Sequence, residues 1–150
     1  MSKPVRTILC PVDFSATSEE AARYTIGLAE QLGATRVVFL HVFQRPVYPV
    51  SEVAGTFVDA TAEEAIKESL RRQLEGLAKR YSQHDIDVDA DLLEGFPYPT
   101  INDAAMDEDA DLIVMATHGR TGLGHFLLGS VAEKIVRTSE IPVCTVRVKG

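Results

Sequence analysis

The chain has 150 residues, 45% of them hydrophobic and 25% charged, which suits one folded unit able to bury a sizeable core. Its 15 Lys and Arg stand against 22 Asp and Glu, a net charge of −7, which argues against nonspecific binding to nucleic acid or anionic lipid, since both need a basic face. No apolar run approaches membrane-spanning length and residues 1–7 hold no signal-peptide core, while Cys10 and Cys144 both sit in apolar runs as buried reduced thiols would, so a cytoplasmic protein is expected.

Residues 5–12 (Val-Arg-Thr-Ile-Leu-Cys-Pro-Val) read as a first strand, nearly continuous in apolar character like a central parallel strand. It ends at Asp13-Phe14-Ser15. A helix then opens at Thr17 with a capping box to Glu20, buries Ala21, Ala22, Ile26, Leu28, Ala29 and Leu32, and closes at Gly33. Residues 36–42 form a second apolar strand. Residues 44–60, punctuated by Pro46, Pro49 and Gly55, read as a long surface loop.

The longest helix is expected over residues 61–82, opened by a capping box from Thr61 to Glu64, with Ile66, Leu70, Leu74, Leu77 and Tyr81 facing inward. Its wet face carries i,i+4 pairs Glu63/Lys67, Glu68/Arg72 and Glu75/Lys79. Residues 87–94 alternate Val88, Ala90 and Leu92 against Asp87, Asp89 and Asp91, the pattern of an edge strand. A short helix over 97–109 turns Ile101, Ala104 and Ala105 inward. The acidic cluster Asp107, Glu108, Asp109 and Asp111 reads as a solvated helix end, since no spacing there fixes a metal geometry.

Residues 111–115 (Asp-Leu-Ile-Val-Met) read as a fourth strand. A glycine-rich loop follows, then a helix over 131–138 with Val131, Ile135 and Val136 on one face, and a closing strand over 141–148. The strict alternation of strands and helices implies an α/β doubly wound domain: a five-stranded, mostly parallel sheet with helices on both faces. Ligands of such sheets bind beyond the strand ends where the winding reverses. With the first strand central, Pro11, Val12 and Asp13 lie beside the end of the fourth strand at Ala116–Gly119.

The loop reads Ala-Thr-His-Gly-Arg-Thr-Gly-Leu-Gly-His-Phe-Leu-Leu-Gly-Ser from Ala116 to Ser130. Glycines permit close approach of backbone N–H groups, and a helix start adds orphan donors and the positive dipole end, the usual equipment for holding phosphate. Ser130-x-x-Glu133 is also a capping box, which would occupy the serine hydroxyl instead. There is no Gly-x-x-x-x-Gly-Lys-Ser/Thr anywhere, so the loop is not a P-loop.

The loop resembles the Gly-x₂-Gly-x₉-Gly-Ser/Thr phosphate loop of the universal stress protein family, matched at Gly119, Gly129 and Ser130, with Ala116 in place of the first glycine. The resemblance extends through Ile8–Ser15, Leu40-His41-Val42, Asp111–Met115 followed by His118-Gly119-Arg120, Leu128-Gly129-Ser130-Val131 and Ile141-Pro142-Val143. It implies ATP binding, with Mg²⁺ accompanying the nucleotide. By position, Pro11, Asp13 and Val42 would surround adenine and ribose. Met115, Ala116 and Gly119 would line the nucleotide, and Gly129, Ser130 and Val131 would hold the phosphates. His118, Arg120 and Gly122 lie in the same loop, where the histidine and arginine side chains could meet phosphate. The closing strand, apolar apart from Arg147, is expected to pair with its twin in a homodimer.

The leading functional expectation is therefore a nucleotide-dependent stress-response module acting on a protein partner. An ATP hydrolase or self-phosphorylating protein using Ser130 is a second reading, and a nucleotide-free dimeric scaffold a third.

Overall fold

The computed structural model describes residues 3–46, 60–82, 84–118 and 128–148. In chain order the elements are β1 (Thr7–Pro11), α1 (Ala16–Leu32), β2 (Arg36–Phe43), α2 (Ala60–Arg80), β3 (Asp87–Glu94), α3 (Pro97–Asp107), β4 (Leu112–Ala116), α4 (Ser130–Thr138) and β5 (Val143–Val146). Most of the expected surface loop, residues 47–59, lies outside the described residues.

The five strands form one sheet in the order β3-β2-β1-β4-β5, and every neighbouring pair runs parallel. Parallel strands need crossovers, and the helices supply them. The chain builds outward from β1 to β3, returns to place β4 on the other side of β1, and finishes at β5. The expected doubly wound α/β architecture is the observed one.

Alternation along each strand divides the core between the two faces. Ile8, Cys10, Val37, Phe39 and Val114 pack with Ala22, Ile26, Leu74 and Leu77 of α1 and α2. Leu9, Val38, Leu40, Ile113 and Met115 pack with Ile101, Ala104, Ala132 and Ile135 of α3 and α4. Each large side chain buried in this way contributes about 1.5–3 kcal/mol. Burial pushes the Cys10 thiol up to about 12, against a weaker opposing hydrogen bond with Thr25, so Cys10 is an inert core residue.

Several helix details differ from expectation. α1 is capped by Ser15, whose Oγ accepts from Ser18 N at 3.2 Å, and not by Thr17. Thr17 instead donates its hydroxyl to the carbonyl of His118 at 2.7 Å, a tertiary bond that outcompetes the local cap. Gly33 closes α1 in the left-handed region as expected (φ 68°), but Leu32 is exposed. α2 starts at Ala60, which puts Thr61 inside its first turn, and its buried residues are Leu74, Leu77 and Ala78. Ile66 is exposed, and the inward positions at that end of α2 are Glu63 and Lys67, the lysine bonded to Glu94 of β3 at 2.7 Å and lying over the Phe43 ring of β2. In α4 the buried residues are Ala132 and Ile135, with Val136 exposed. β5 is shorter than expected: Ser139 Oγ accepts from Ile141 N and donates to Ile141 O, so residues 139–142 form a connection rather than strand.

The acidic residues near the end of α3 have structural partners. Glu108 accepts from Arg36 at 2.6 Å. Asp111 accepts from Arg6 N and Thr7 N at 2.9 and 3.1 Å and pairs with Lys3 at 2.6 Å. Among the described residues no cluster of His, Cys, Asp and Glu could hold a metal ion.

Candidate functional site

The carboxyl ends of β1, β2 and β4 meet the amino end of α4 around a cleft of about 410 Å³. β1 contributes Pro11 and the two residues after it, Val12 and Asp13. Leu40, His41 and Val42 come from β2, Met115 and Ala116 from β4, and Thr117 and His118 from the turn beyond it. The opposite wall is Gly129, Ser130, Val131 and Ala132. Every described residue expected at the site therefore lines one cleft. Gly119, Arg120 and Gly122 lie outside the described residues.

The placement of Asp13 follows from an abrupt turn. β1 continues one residue beyond its end, where Val12 N donates to Leu40 O at 2.8 Å. Phe14 then takes a left-handed conformation (φ 62°), which costs a bulky residue on the order of 1 kcal/mol and needs surrounding contacts to persist. Those contacts centre on Asp13. Its Oδ1 accepts from Ser15 N at 3.0 Å and Ser15 Oγ at 2.5 Å, and its N–H donates to Ser18 Oγ at 3.3 Å. The carboxylate is thus oriented before any ligand arrives.

α4 opens in a way that leaves donors available. Gly129 is its N-cap with φ −57° and ψ 153°, and no side chain caps the helix among the described residues. The expected Ser130–Glu133 box does not form. Ser130 is already helical, and Glu133 turns away to an ion pair with Arg137. Gly129 N donates to Thr117 O at 2.7 Å, and the first bond of the helix runs from Glu133 N to Gly129 O at 2.9 Å. The N–H groups of Ser130, Val131 and Ala132 consequently have no acceptor within the helix, and they sit at its positive end. The backbone at Gly129 is extended, a conformation that any residue adopts.

His118 stands between these parts. Its carbonyl accepts from Thr17, and its Nδ1 lies 2.9 Å from Thr117 Oγ1. Its Nε2 is buried without a partner among the described residues. His118 and these three N–H groups line the same cleft, and N–H donors at a helix start suit an anion with several acceptor oxygens. A polyphosphate fits this donor set, and the apolar wall of Pro11, Val42, Ile101 and Met115 suits a flat base.

Sequence reasoning gave no site role to Ser18, Gln44, Pro97, Thr117 or His41, all of which border the cleft. Ser18 and Thr117 follow from the turns already described. Pro97 enters because α3 begins at the same end of the sheet, and alternation of strands and helices was signal enough for that. His41 lies on the α1 side of β2, with Nδ1 2.7 Å from the carbonyl of Val12 and its ring stacked on Phe14 at 4.9 Å.

Comparison with known proteins places this cleft in context. The family model described as the universal stress protein family matches residues 4–147. The universal stress protein MJ0531 of Methanocaldococcus jannaschii is 34% identical over 95% of this chain and 82% of its own length. MJ0577 of the same organism is 31% identical over 100% of this chain and 99% of its own. A solved structure of MJ0577 superposes with a TM-score of 0.83 at 30% identity, covering 99% of both chains. The same fold, at lower identity, appears in a universal stress protein in complex with cAMP (TM-score 0.68, 22% identity, 98% and 100% of the two chains). It appears again in one from Archaeoglobus fulgidus in complex with dAMP (TM-score 0.62, 21% identity, 95% and 98%).

Proposed function

The chain belongs to the universal stress protein family, and we propose that it binds an adenine nucleotide, ATP with Mg²⁺, in the cleft between Asp13 and the start of α4. The observation that carries this reading is the convergence, across one cavity, of an oriented carboxylate with a helix N-terminus that has no side-chain cap among the described residues. Asp13 accepts from ribose hydroxyls, while the apolar residues Pro11, Val42 and Met115 take the base. Ser130, Val131 and Ala132 offer N–H donors to the phosphates, with His118 beside them. By sequence position Gly119, Arg120 and Gly122 belong to the proposed phosphate-binding loop. Mg²⁺ neutralises charge on the polyphosphate when bound with it. Relatives of the same fold in complex with cAMP and dAMP support an adenine nucleotide as the ligand class.

In this reading nucleotide occupancy tunes contact with a protein partner in the cytoplasm, without nucleic acid or membrane as the target. Two copies join through β5, which ends the sheet and carries four half-buried residues, Val143, Cys144, Thr145 and Val146. An edge of that composition is normally covered or paired. Mass spectrometry of gently purified protein should find co-purifying adenine nucleotide, and sedimentation at micromolar concentration should give a dimer. Nucleotide-free protein whose melting is indifferent to added Mg-ATP would favour the nucleotide-free scaffold instead.

A further inference from the structure

We propose that His41 is a positioning residue for Asp13, holding both of its chain neighbours from the side of the sheet opposite α3 and α4. The inference rests on the reading of Asp13 as the ribose-binding carboxylate and extends it to a β2 residue at the border of the same cleft. The β1–β2 register sets Pro11 beside Leu40, so the next step along each strand brings Val12 beside His41. Leu40 O accepts from Val12 N, and one residue later the imidazole reaches back to the Val12 carbonyl at 2.7 Å. A carbonyl only accepts, so Nδ1 carries the proton and donates.

On the other side of Asp13, the same ring packs on Phe14 with centroids 4.9 Å apart and planes at 45°. Phe14 is the residue forced into the left-handed region. One side chain therefore fixes the carbonyl before Asp13 and supports the strained residue after it. The bonds from Ser15 N and Oγ to Asp13 Oδ1 depend on the corner so formed. Displacing a binding group by even an ångström loses much of its contribution.

His41→Phe keeps a ring against Phe14 and removes the donor. His41→Asn returns a donor close to the Nδ1 position without the ring. Calorimetry with Mg-ATP and with inorganic tripolyphosphate is run on both variants, on Asp13→Ala, and on the double variant Asp13→Ala/His41→Phe. His41→Phe should weaken ATP about tenfold, leave tripolyphosphate within about twofold, and add nothing once Asp13 is gone, while His41→Asn recovers part of the loss. Equal weakening of ATP and tripolyphosphate, or full additivity with Asp13→Ala, would overturn the proposal.

Two measurements on nucleotide-free protein decide the matter independently of ligand. Imidazole ¹⁵N spectra of the unmodified chain should place a proton on Nδ1 of His41; a bare Nδ1 would end the proposal. The Asp13 carboxylate ¹³C and Ser15 amide resonances should move in His41→Phe and return toward their original positions in His41→Asn. If the unmodified protein binds no ATP, the nucleotide reading fails, and these resonances still decide whether His41 positions Asp13.

Discussion

The two ends of the sheet are finished differently. At the amino ends of the strands, charges are matched within the fold. Asp111 ties the entry of β1 to that of β4 through Arg6 N, Thr7 N and Lys3, and Arg36 at the start of β2 is held by Asp89 and Glu108 at 2.7 and 2.6 Å. At the carboxyl ends, Asp13 is oriented toward a cleft, α4 begins without a side-chain cap, and His118 Nε2 is buried without a partner among the described residues. An end that satisfies itself contributes stability. An end that leaves donors pointing into a cavity forgoes stability that a ligand restores on binding.

Substitutions at the carboxyl ends should therefore change binding first, and those at the amino ends stability first. The largest effect is expected at Gly129→Val. The extended backbone there accepts valine, so melting should hold nearly constant, while a branched side chain at the mouth of α4 should weaken Mg-ATP more than ~100-fold, or ~2.7 kcal/mol. Affinity within threefold of the unmodified protein would mean that the phosphates lie elsewhere. Asp13→Ala comes next. Losing charge-assisted bonds to ribose should cost on the order of 1.5–3 kcal/mol, read by calorimetry as about ten- to 100-fold for every ribonucleotide, whatever its phosphate count. A loss for ATP but not for AMP would assign Asp13 to the phosphates instead.

At the opposite end, Asp111→Asn should lower stability by about 1 kcal/mol and leave nucleotide affinity alone. Lys3 is solvent-exposed and screened, so the loss stays below what the full displacement of the carboxyl would give. The sign follows from the direction of the shift. The hydrogen bond and ion pair from Lys3, then the bonds from Arg6 N and Thr7 N, hold the carboxyl down at about 2 against an ordinary value of 3.8. The stabilisation is complete above the ordinary value and is lost as pH falls from there through about 2. Urea melts of both proteins at pH 7 and pH 2.5 should differ at the first and converge toward the second.

Asp91→Asn is the smallest effect and has the opposite sign. Burial, then the nearby Glu108 carboxylate, raises the Asp91 carboxyl, so its charged form costs stability at neutral pH and that cost is relieved as pH falls through the raised value. The amide should be neutral to stabilising by up to ~0.5 kcal/mol at pH 7. Destabilisation would reveal a bond that the charge makes and the amide does not.

Much of this contrast was readable from the residue order. The apolar runs of β1, β2 and β4 announce central strands, and alternation with helices implies that the ends of β1 and β4 lie side by side. What escaped were details set by tertiary neighbours. The Ser-Ala-Thr-Ser run offers several possible caps, and the choice of Ser15 depends on Thr17 being drawn to His118. Ser130 and Glu133 have capping-box spacing, yet the helix starts one residue too early for the box to close. On α2, Ile66 gives way to Lys67 on the inward side because Lys67 bonds to Glu94 of β3, a tertiary partner that the helix periodicity does not show. Nothing in the residue order singles out His41, because its bond to Val12 exists through the β1–β2 register and leaves no local pattern.

The most direct test of the account is a calorimetric titration of Mg-ATP into nucleotide-stripped protein, paired with a melting curve at 100 times the dissociation constant so obtained. The account predicts one saturable site per chain and a gain of about 2.7 kcal/mol in stability at that concentration. No heat and no melting shift at millimolar Mg-ATP would contradict it and leave the cleft between Asp13 and α4 without its proposed ligand.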